Sequence, residues 1–313
     1  MIVDLPDTTV SKIARSLVSV REEGGAVALG RVLTLVIVTT HGLHEEAIEA
    51  ANDASREHPM RVIVLITDDE GDARLDAQIR VGGDAGASEV VVLRAHGAAG
   101  SNQESLITGL LLPDAPVVAW WPDYPPAHPA ASDVGRMAQR RITDASTRPF
   151  AKDRLSQLGS SYAPGDTDLA WTRLTHWREQ LAAVLDQPPY EPITTVEVVG
   201  AGTSPSTGLL AAWLRLELGV PVVWRYSARD EWEHGIQSVR LGRASGDILL
   251  QRTNDIDATL TQPGQPSHDI VLPRRTLREC LAEELRRLDP DVLYGRVITE
   301  GWELLGPPTT SPS

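Results

Sequence analysis

Hydrophobic positions fall along this chain in two textures. In the first, β-branched residues run almost without interruption: 30–39 (GRVLTLVIVT), 61–67 (RVIVLIT) and 116–121 (PVVAWW). Short apolar runs of this kind predict strands buried on both faces, as in a parallel sheet. In the second, apolar residues recur every three or four positions. HEEAIEAANDASREH places Ala47, Ile48, Ala51 and Ala54 on one helical face, between the first two runs. Strand, helix and strand in that order predict a parallel pair with a right-handed crossover. DAQIRVGG and SEVVVLRA follow as two further strands with glycine-rich turns between them, and SNQESLITGLLL as a short helix. Ahead of all this, an Asp7, Thr8 or Thr9 cap opens a helix through KIARSLVSVREE, which Gly24 and Gly25 end.

The second half repeats the order. TTVEVVG reads as a strand, GLLAAWLRLELG as a helix and PVVWRYS as a strand, after which IQSVRLG, GDILLQR, DATLTQ and HDIVLP form a meander. TLRECLAEELRRL and DPDVLYGRVITEGWELL close as helices. The expected fold class is α/β: two units, each on a strand–helix–strand core with extra strands. An internal duplication is one reading of the shared order. The expected boundaries are an N-terminal α/β domain over 1–125, a helical and loop connecting segment over 126–190, a C-terminal α/β domain over 191–305 and a flexible tail over 306–313.

Between the halves the texture breaks. PDYPPAHPA cannot form regular structure, because proline lacks an N–H and bars its predecessor from the helical region. Then come DVGRMAQRR as a helix, RITDAS as an extended segment, a helix and loop in RPFAKDRLSQLGSSYAPGD, and a helix over DLAWTRLTHWREQLAAVLD capped by Asp166 or Thr167. Trp120, Trp121, Trp171 and Trp177, four of the eight tryptophans, lie in this stretch. So do Pro122, Tyr124, Arg140, Arg141, Asp144, Asp168, Arg173 and Arg178. Tryptophan and arginine are the residues of interface anchors, so these twelve are candidate partner-binding positions. The competing reading is core tryptophans with surface ion pairs. In a strand, Trp120 and Trp121 must face opposite ways, so one of them packs on another layer, a loop or a partner.

Composition narrows the function. The net charge is −14, which argues against a general nucleic-acid binder. No apolar run is long enough to span a bilayer and no signal peptide is recognised, so a cytoplasmic protein is expected. The lone Cys280 permits neither an intrachain disulfide nor a cysteine metal site. His41 and His44 lack the partners a metal needs and read as a capping segment, and DEWEHG (230–235) reads as a solvated loop. No catalytic signature, metal set or cofactor motif is found, so a non-enzyme is expected. One loop does carry chemistry: AGTSPSTG (201–208) follows a strand and opens a helix. Gly202, Thr203, Ser204, Ser206 and Thr207 there are candidate phosphate-binding residues, with Arg173 or Arg178 completing a sugar-phosphate pocket. The same loop also reads as a plain strand–helix turn capped by Ser204 or Ser206.

MIVDLPDTTVSKIARSLVSVREEGGAVALGRVLTLVIVT, DAPVVAWWPDYPPAHPA, AQRRITDAS and DTDLAWTRLTHWREQLAA resemble the glucose-6-phosphate dehydrogenase assembly proteins, the OpcA family in its actinobacterial form. The resemblance runs from Met1 to about Glu303. It implies a non-catalytic protein that binds glucose-6-phosphate dehydrogenase, promotes its assembly or allosteric activation, and so supports the oxidative pentose phosphate pathway and NADPH supply. Cyanobacterial relatives are linked to thioredoxin control through cysteines; a lone Cys280 cannot supply an intrachain thiol switch.

Overall fold

A computed structural model describes residues 1–23, 32–40, 42–68, 70–82, 89–147, 151–227 and 234–309. Gly24, Gly25, His41, the turn between the third and fourth expected strands, and Asp230 to Glu233 of DEWEHG lie outside the described residues.

The chain opens with β1 (Ile2–Leu5), which the sequence reading did not anticipate, and α1 (Val10–Glu23). β2 (Leu33–Thr39), α2 (His44–Ala54) and β3 (Met60–Asp68) form the expected crossover, and β2 and β3 are buried along nearly their whole length. β2 and β3 pair in parallel. β4 (Arg74–Val81) and β5 (Glu89–His96) pair antiparallel. After α3 (Gln103–Thr108), β6 (Val117–Trp121) is buried on both faces. α4 (Asp133–Met137) stops early, and β7 (Arg140–Thr143) falls on the expected extended segment RITDAS but starts one residue sooner, at Arg140 within the expected helix.

α5 (Ala151–Ser161) leads to β8 (Asp166–Asp168), a strand where a helix cap was expected. The long expected helix is two pieces, α6 (Leu169–Thr172) and α7 (Thr175–Leu185), and its cap is Asp168, which accepts from the Ala170 N–H at 2.9 Å. β9 (Thr195–Gly200), α8 (Pro205–Leu218) and β10 (Val222–Tyr226) form the second crossover, with β9 and β10 parallel. β11 (Ile236–Gly242), β12 (Ile248–Arg252), β13 (Asp257–Thr261) and β14 (His268–Val271) make the antiparallel meander. α9 (Leu277–Arg286) and α10 (Val292–Arg296) end the chain, α10 running into a wider turn over Val297–Gly301.

Two sheets result, in the orders β1-β4-β5-β3-β2-β6-β7-β8 and β10-β9-β11-β12-β13-β14. The connectivity differs between them. In the first sheet the β4–β5 hairpin adds to β3 through β5, in parallel; in the second, the β11–β12 hairpin adds to β9 through β11, antiparallel. The shared order of elements therefore does not amount to a repeated topology.

The chain divides into two compact units. One comprises 1–144, 163–167 and 277–290; the other comprises 145–162, 168–276 and 291–313. This division differs from the boundaries the sequence suggested: the expected connecting segment is shared between the units, and α9 belongs to the first. In the first unit α9 packs on α2. Its core gathers Ile13, Val36, Ile63, Leu93 and Trp121. The second unit's core gathers Trp171, Trp177, Leu209, Leu210, Val239 and Leu250. Part of the expected tail is bound: the Thr309 N–H donates to the Trp224 carbonyl, and Gly306 O accepts from the Trp224 indole. Residues 310–313 lie outside the described residues.

Candidate functional site

The central tryptophans are interior. Trp120 is 0% exposed, Trp121 2%, Trp171 1% and Trp177 3%. On β6, Trp121 joins the first unit's core and Trp120, on the opposite face, is covered too. Arg140, Arg141, Asp144 and Asp168 are also buried. Three of these buried charges have structural tasks: Arg140, Arg141 and Asp168. Arg140 donates through Nε to Glu284 of α9 at 2.9 Å and through Nη1 to the Asp289 carbonyl at 2.7 Å. Arg141 pairs with Asp166 and donates to the carbonyls of Ala138 and Pro164, fixing the turn into β8. Asp168 accepts from the N–H groups of Ala145 and Ala170. Trp171 donates its indole N–H to Asp291 at 2.8 Å, the cap of α10, and Arg178 stacks over its ring at 3.9 Å. These side chains lie in the interior, and the contacts described for them are contacts within the fold. Tyr124 is 58% exposed, and Pro122, Arg173 and Arg178 are half-buried.

The loop after β9 has a different setting. It lines a cavity of about 600 Å³ within the second unit. Thr203 and Ser204 reach it from the loop, Ser206 from the first turn of α8, and Arg173, Leu174 and Trp177 from the junction of α6 and α7. Gly235 and Ile236 enter at the start of β11, where a bulge shifts the register with β9. Arg252 comes from the end of β12, and Arg274 and Arg275 from the segment after β14. The cavity thus sits at the C-terminal end of β9 and the N-terminus of α8, the place where ligands collect in crossover units.

Its electrostatics are one-sided. Four arginines and His234 line it, and none of the described lining residues is a carboxylate. Arg274 is partly neutralised, donating to Asp255 and, at 2.7 Å, to the His234 carbonyl. Arg252 is 4% exposed, lies 5.5 Å above the Trp177 ring, and donates through Nη1 to the carbonyls of Leu272 and Asp255. Its buried Nε has no hydrogen-bond partner. Burial, and secondarily the charge of Arg274, push the Arg252 guanidinium down to about 10 against the weaker pull of Asp255. A guanidinium stays charged at neutral pH, so this marks an undercompensated buried cation. Gly235 holds φ at +67°, which favours glycine, and a Cβ there would lie 2.7 Å from Arg274 Nη1 and displace the end of that side chain.

Of the expected phosphate residues, Thr203, Ser204 and Ser206 line the cavity, and Ser206 also donates to the Ala170 carbonyl. Thr207 is corrected: it is fully buried and donates to the Ala201 carbonyl, away from the cavity lining. Gly202 is exposed beside Tyr226, outside that lining. Of the two candidate arginines, Arg173 lines the cavity and Arg178 does not. Arg252, Arg274, Arg275 and His234 were missed. Arg252 did leave a signal: in ILLQR it shares the inward phase with Ile248 and Leu250, a charge where alternation calls for an apolar residue.

A second crevice, of about 390 Å³, opens in the first unit beyond β2, β3 and β6, between the strands where the order reverses. Its character is acidic: Asp123 and Asp133 line it, and Asp123 accepts from the Thr40 hydroxyl at 2.7 Å.

Family models match most of the chain. Residues 51–160 match the glucose-6-phosphate dehydrogenase subunit N-terminal domain, and residues 164–298 match the corresponding C-terminal domain. The chain belongs to the OpcA family. The junction between the two OpcA models, 161–163, falls beside the step from the second unit back to the first at Ala163. No curated protein matches the chain. Solved structures are only distantly similar. An oxidoreductase from Sinorhizobium meliloti has a TM-score of 0.46 at 12% identity, covering 81% of this chain and 88% of its own. A trehalose-6-phosphate structure from E. coli with bound UDP-2-fluoro glucose has a TM-score of 0.24 at 12% identity, covering 63% and 66%. Neither likeness carries a functional argument. No helix among the described residues is long and apolar enough to cross a membrane.

Proposed function

We propose that this chain is a non-catalytic partner of glucose-6-phosphate dehydrogenase that binds the enzyme in the cytoplasm, promotes its assembly and activates it allosterically. In that role it supports the oxidative pentose phosphate pathway and NADPH supply. The observation that carries the reading is the pair of family models for glucose-6-phosphate dehydrogenase subunit domains, which run in order over residues 51–160 and 164–298.

An activator can move its target only by the difference in its affinity for two target states. The active conformation or oligomer of the dehydrogenase is then the form this chain binds more tightly, and by reciprocity glucose 6-phosphate tightens the complex. Within the central segment, the residue proposed for contact is the exposed Tyr124 on its proline-rich turn in the first unit. Tyrosine held on a rigid turn gives contact area at small entropic cost.

Co-elution of the chain with its cognate dehydrogenase on a sizing column tests the association. The complex is expected to elute as one species, and Tyr124→Ala to shift it toward the free components while the variant's own melting temperature stays unchanged. Separate elution of the wild-type chain and the enzyme at micromolar concentration contradicts the proposal.

A further inference from the structure

We propose that the arginine-lined cavity of the second unit binds a small phosphorylated molecule, with its phosphate at the N-terminus of α8. This goes beyond association with a dehydrogenase and does not depend on it, because every lining residue belongs to one unit of this chain.

Three independent features converge. The first is the helix end: α8 is 14 residues long, Pro205 sits in its first turn, and the Ser204 side chain makes no capping hydrogen bond. The first turn of a helix presents backbone N–H groups and the positive end of the helix dipole. The second is Arg252, 96% buried by its 4% exposure, with Nε unpartnered. Burying a cation without full compensation is costly, and such an arrangement is explained when an anion completes it. The third is the count of charges. Four guanidinium groups face a space free of carboxylates among the described lining residues. A phosphate monoester brings close to two negative charges and three acceptor oxygens that suit arginine's planar fork, beside the contacts Arg274 and Arg275 already make to Asp255 and to the Thr172 carbonyl.

Size and lining select the rest of the ligand. About 600 Å³ is within the range of small-molecule clefts and larger than a free phosphate fills. Trp177 and Ile236 give it an apolar wall, and Thr203 and Ser204 give it hydroxyls. That mixture suits a sugar-sized body with hydroxyl groups and an apolar face.

Calorimetric titration of the full chain at constant ionic strength tests this with inorganic phosphate, pyrophosphate, glucose 6-phosphate and glucose. Saturable binding of the phosphate-bearing probes at millimolar concentration or below is expected, with none for glucose. Glucose 6-phosphate binding tighter than inorganic phosphate identifies an ester as the ligand; the reverse order identifies the free anion, and either result supports the site. The decisive variant is Ser204→Asp. Aspartate is a favourable helix cap, so the unliganded protein is expected to melt at or above the wild-type temperature. The same carboxylate repels the phosphate, and affinity is expected to fall by about tenfold or more. Arg173→Gln is expected to weaken binding in the same direction. Absence of saturable binding of all three phosphate-bearing probes overturns the proposal. So does unchanged affinity in Ser204→Asp, which would put the anion elsewhere on the chain.

Discussion

Tryptophan and tyrosine from one short segment meet opposite fates, and burial decides which. Trp121 is 2% exposed and Trp171 1%, whereas Tyr124 is 58% exposed. Truncating a fully buried tryptophan removes a large apolar volume and leaves a cavity. Trp121→Ala and Trp171→Ala are therefore expected to cost about 3–5 kcal/mol in denaturant unfolding, and Tyr124→Ala within about 0.5 kcal/mol of nothing. A second residue-scale expectation concerns acid. Arg80 grips Glu45 through two hydrogen bonds of 2.7 and 2.8 Å. Those bonds from Arg80 hold the Glu45 carboxyl below its ordinary 4.5. A depressed carboxyl contributes stability that is full above 4.5 and lost as the pH falls through the lower folded value. Glu45 is well exposed, so Glu45→Gln is expected to lower the melting temperature only slightly at neutral pH. The difference from wild type should begin to shrink as the pH falls below 4.5 and vanish once it is below the depressed folded value, which melting curves across pH would show.

Whether Trp121 was a core or an interface residue was not legible in the sequence. Adjacent tryptophans in a strand must face opposite ways, and that much held; whether each face is covered depends on layers supplied by distant residues. The same is true of Arg140, whose partner Glu284 is 144 positions away.

At the scale of elements, the continuous β-branched runs and the alternating meander were readable because local pattern alone decides them. The failures share one cause, a long-range contact overriding local propensity. DVGRMAQRR has helical composition, yet the helix ends at Met137 and Arg140, paired with Glu284, joins β7 ahead of the expected extended segment. Asp166 and Thr167 looked like helix caps, but the pairing of Arg141 with Asp166 makes them strand and leaves the cap to Asp168. β1 was missed because its four residues are only partly buried, too weak a pattern to register. The ion pair joining β7 to α9 is testable. Removing one partner of a buried pair strands the other charge, so Glu284→Ala is expected to destabilise by about 3–5 kcal/mol in equilibrium unfolding. Gly235→Ala sets a backbone prediction beside the cavity. The φ of +67° strains any other residue there, and a methyl group 2.7 Å from Arg274 Nη1 would push the end of that arginine aside. A loss of about 1–2 kcal/mol is expected, together with weaker phosphate binding.

On the scale of the whole molecule, two α/β units were legible and their borders were not. Pro- and Gly-rich stretches mark where regular structure stops, which is a local property. Unit membership follows contacts instead, and 163–167 and 277–290 return to the first unit because β8 joins β7 and α9 packs on α2. The cavity was half legible for a related reason. The AGTSPSTG loop announced a strand–helix turn able to receive an anion, but the arginines that give it charge come from β12 and from the segment after β14. Only Arg252, out of phase with its strand's polarity, hinted at them.

The proposed activation, by preference for the active state of the dehydrogenase, is tested most directly by the initial rate of the cognate glucose-6-phosphate dehydrogenase across glucose 6-phosphate concentrations, titrated with this protein. A saturable rise in kcat or fall in KM is expected, with half-effect at the concentration where the two proteins co-elute. Co-elution with rates unchanged at every substrate concentration would contradict it.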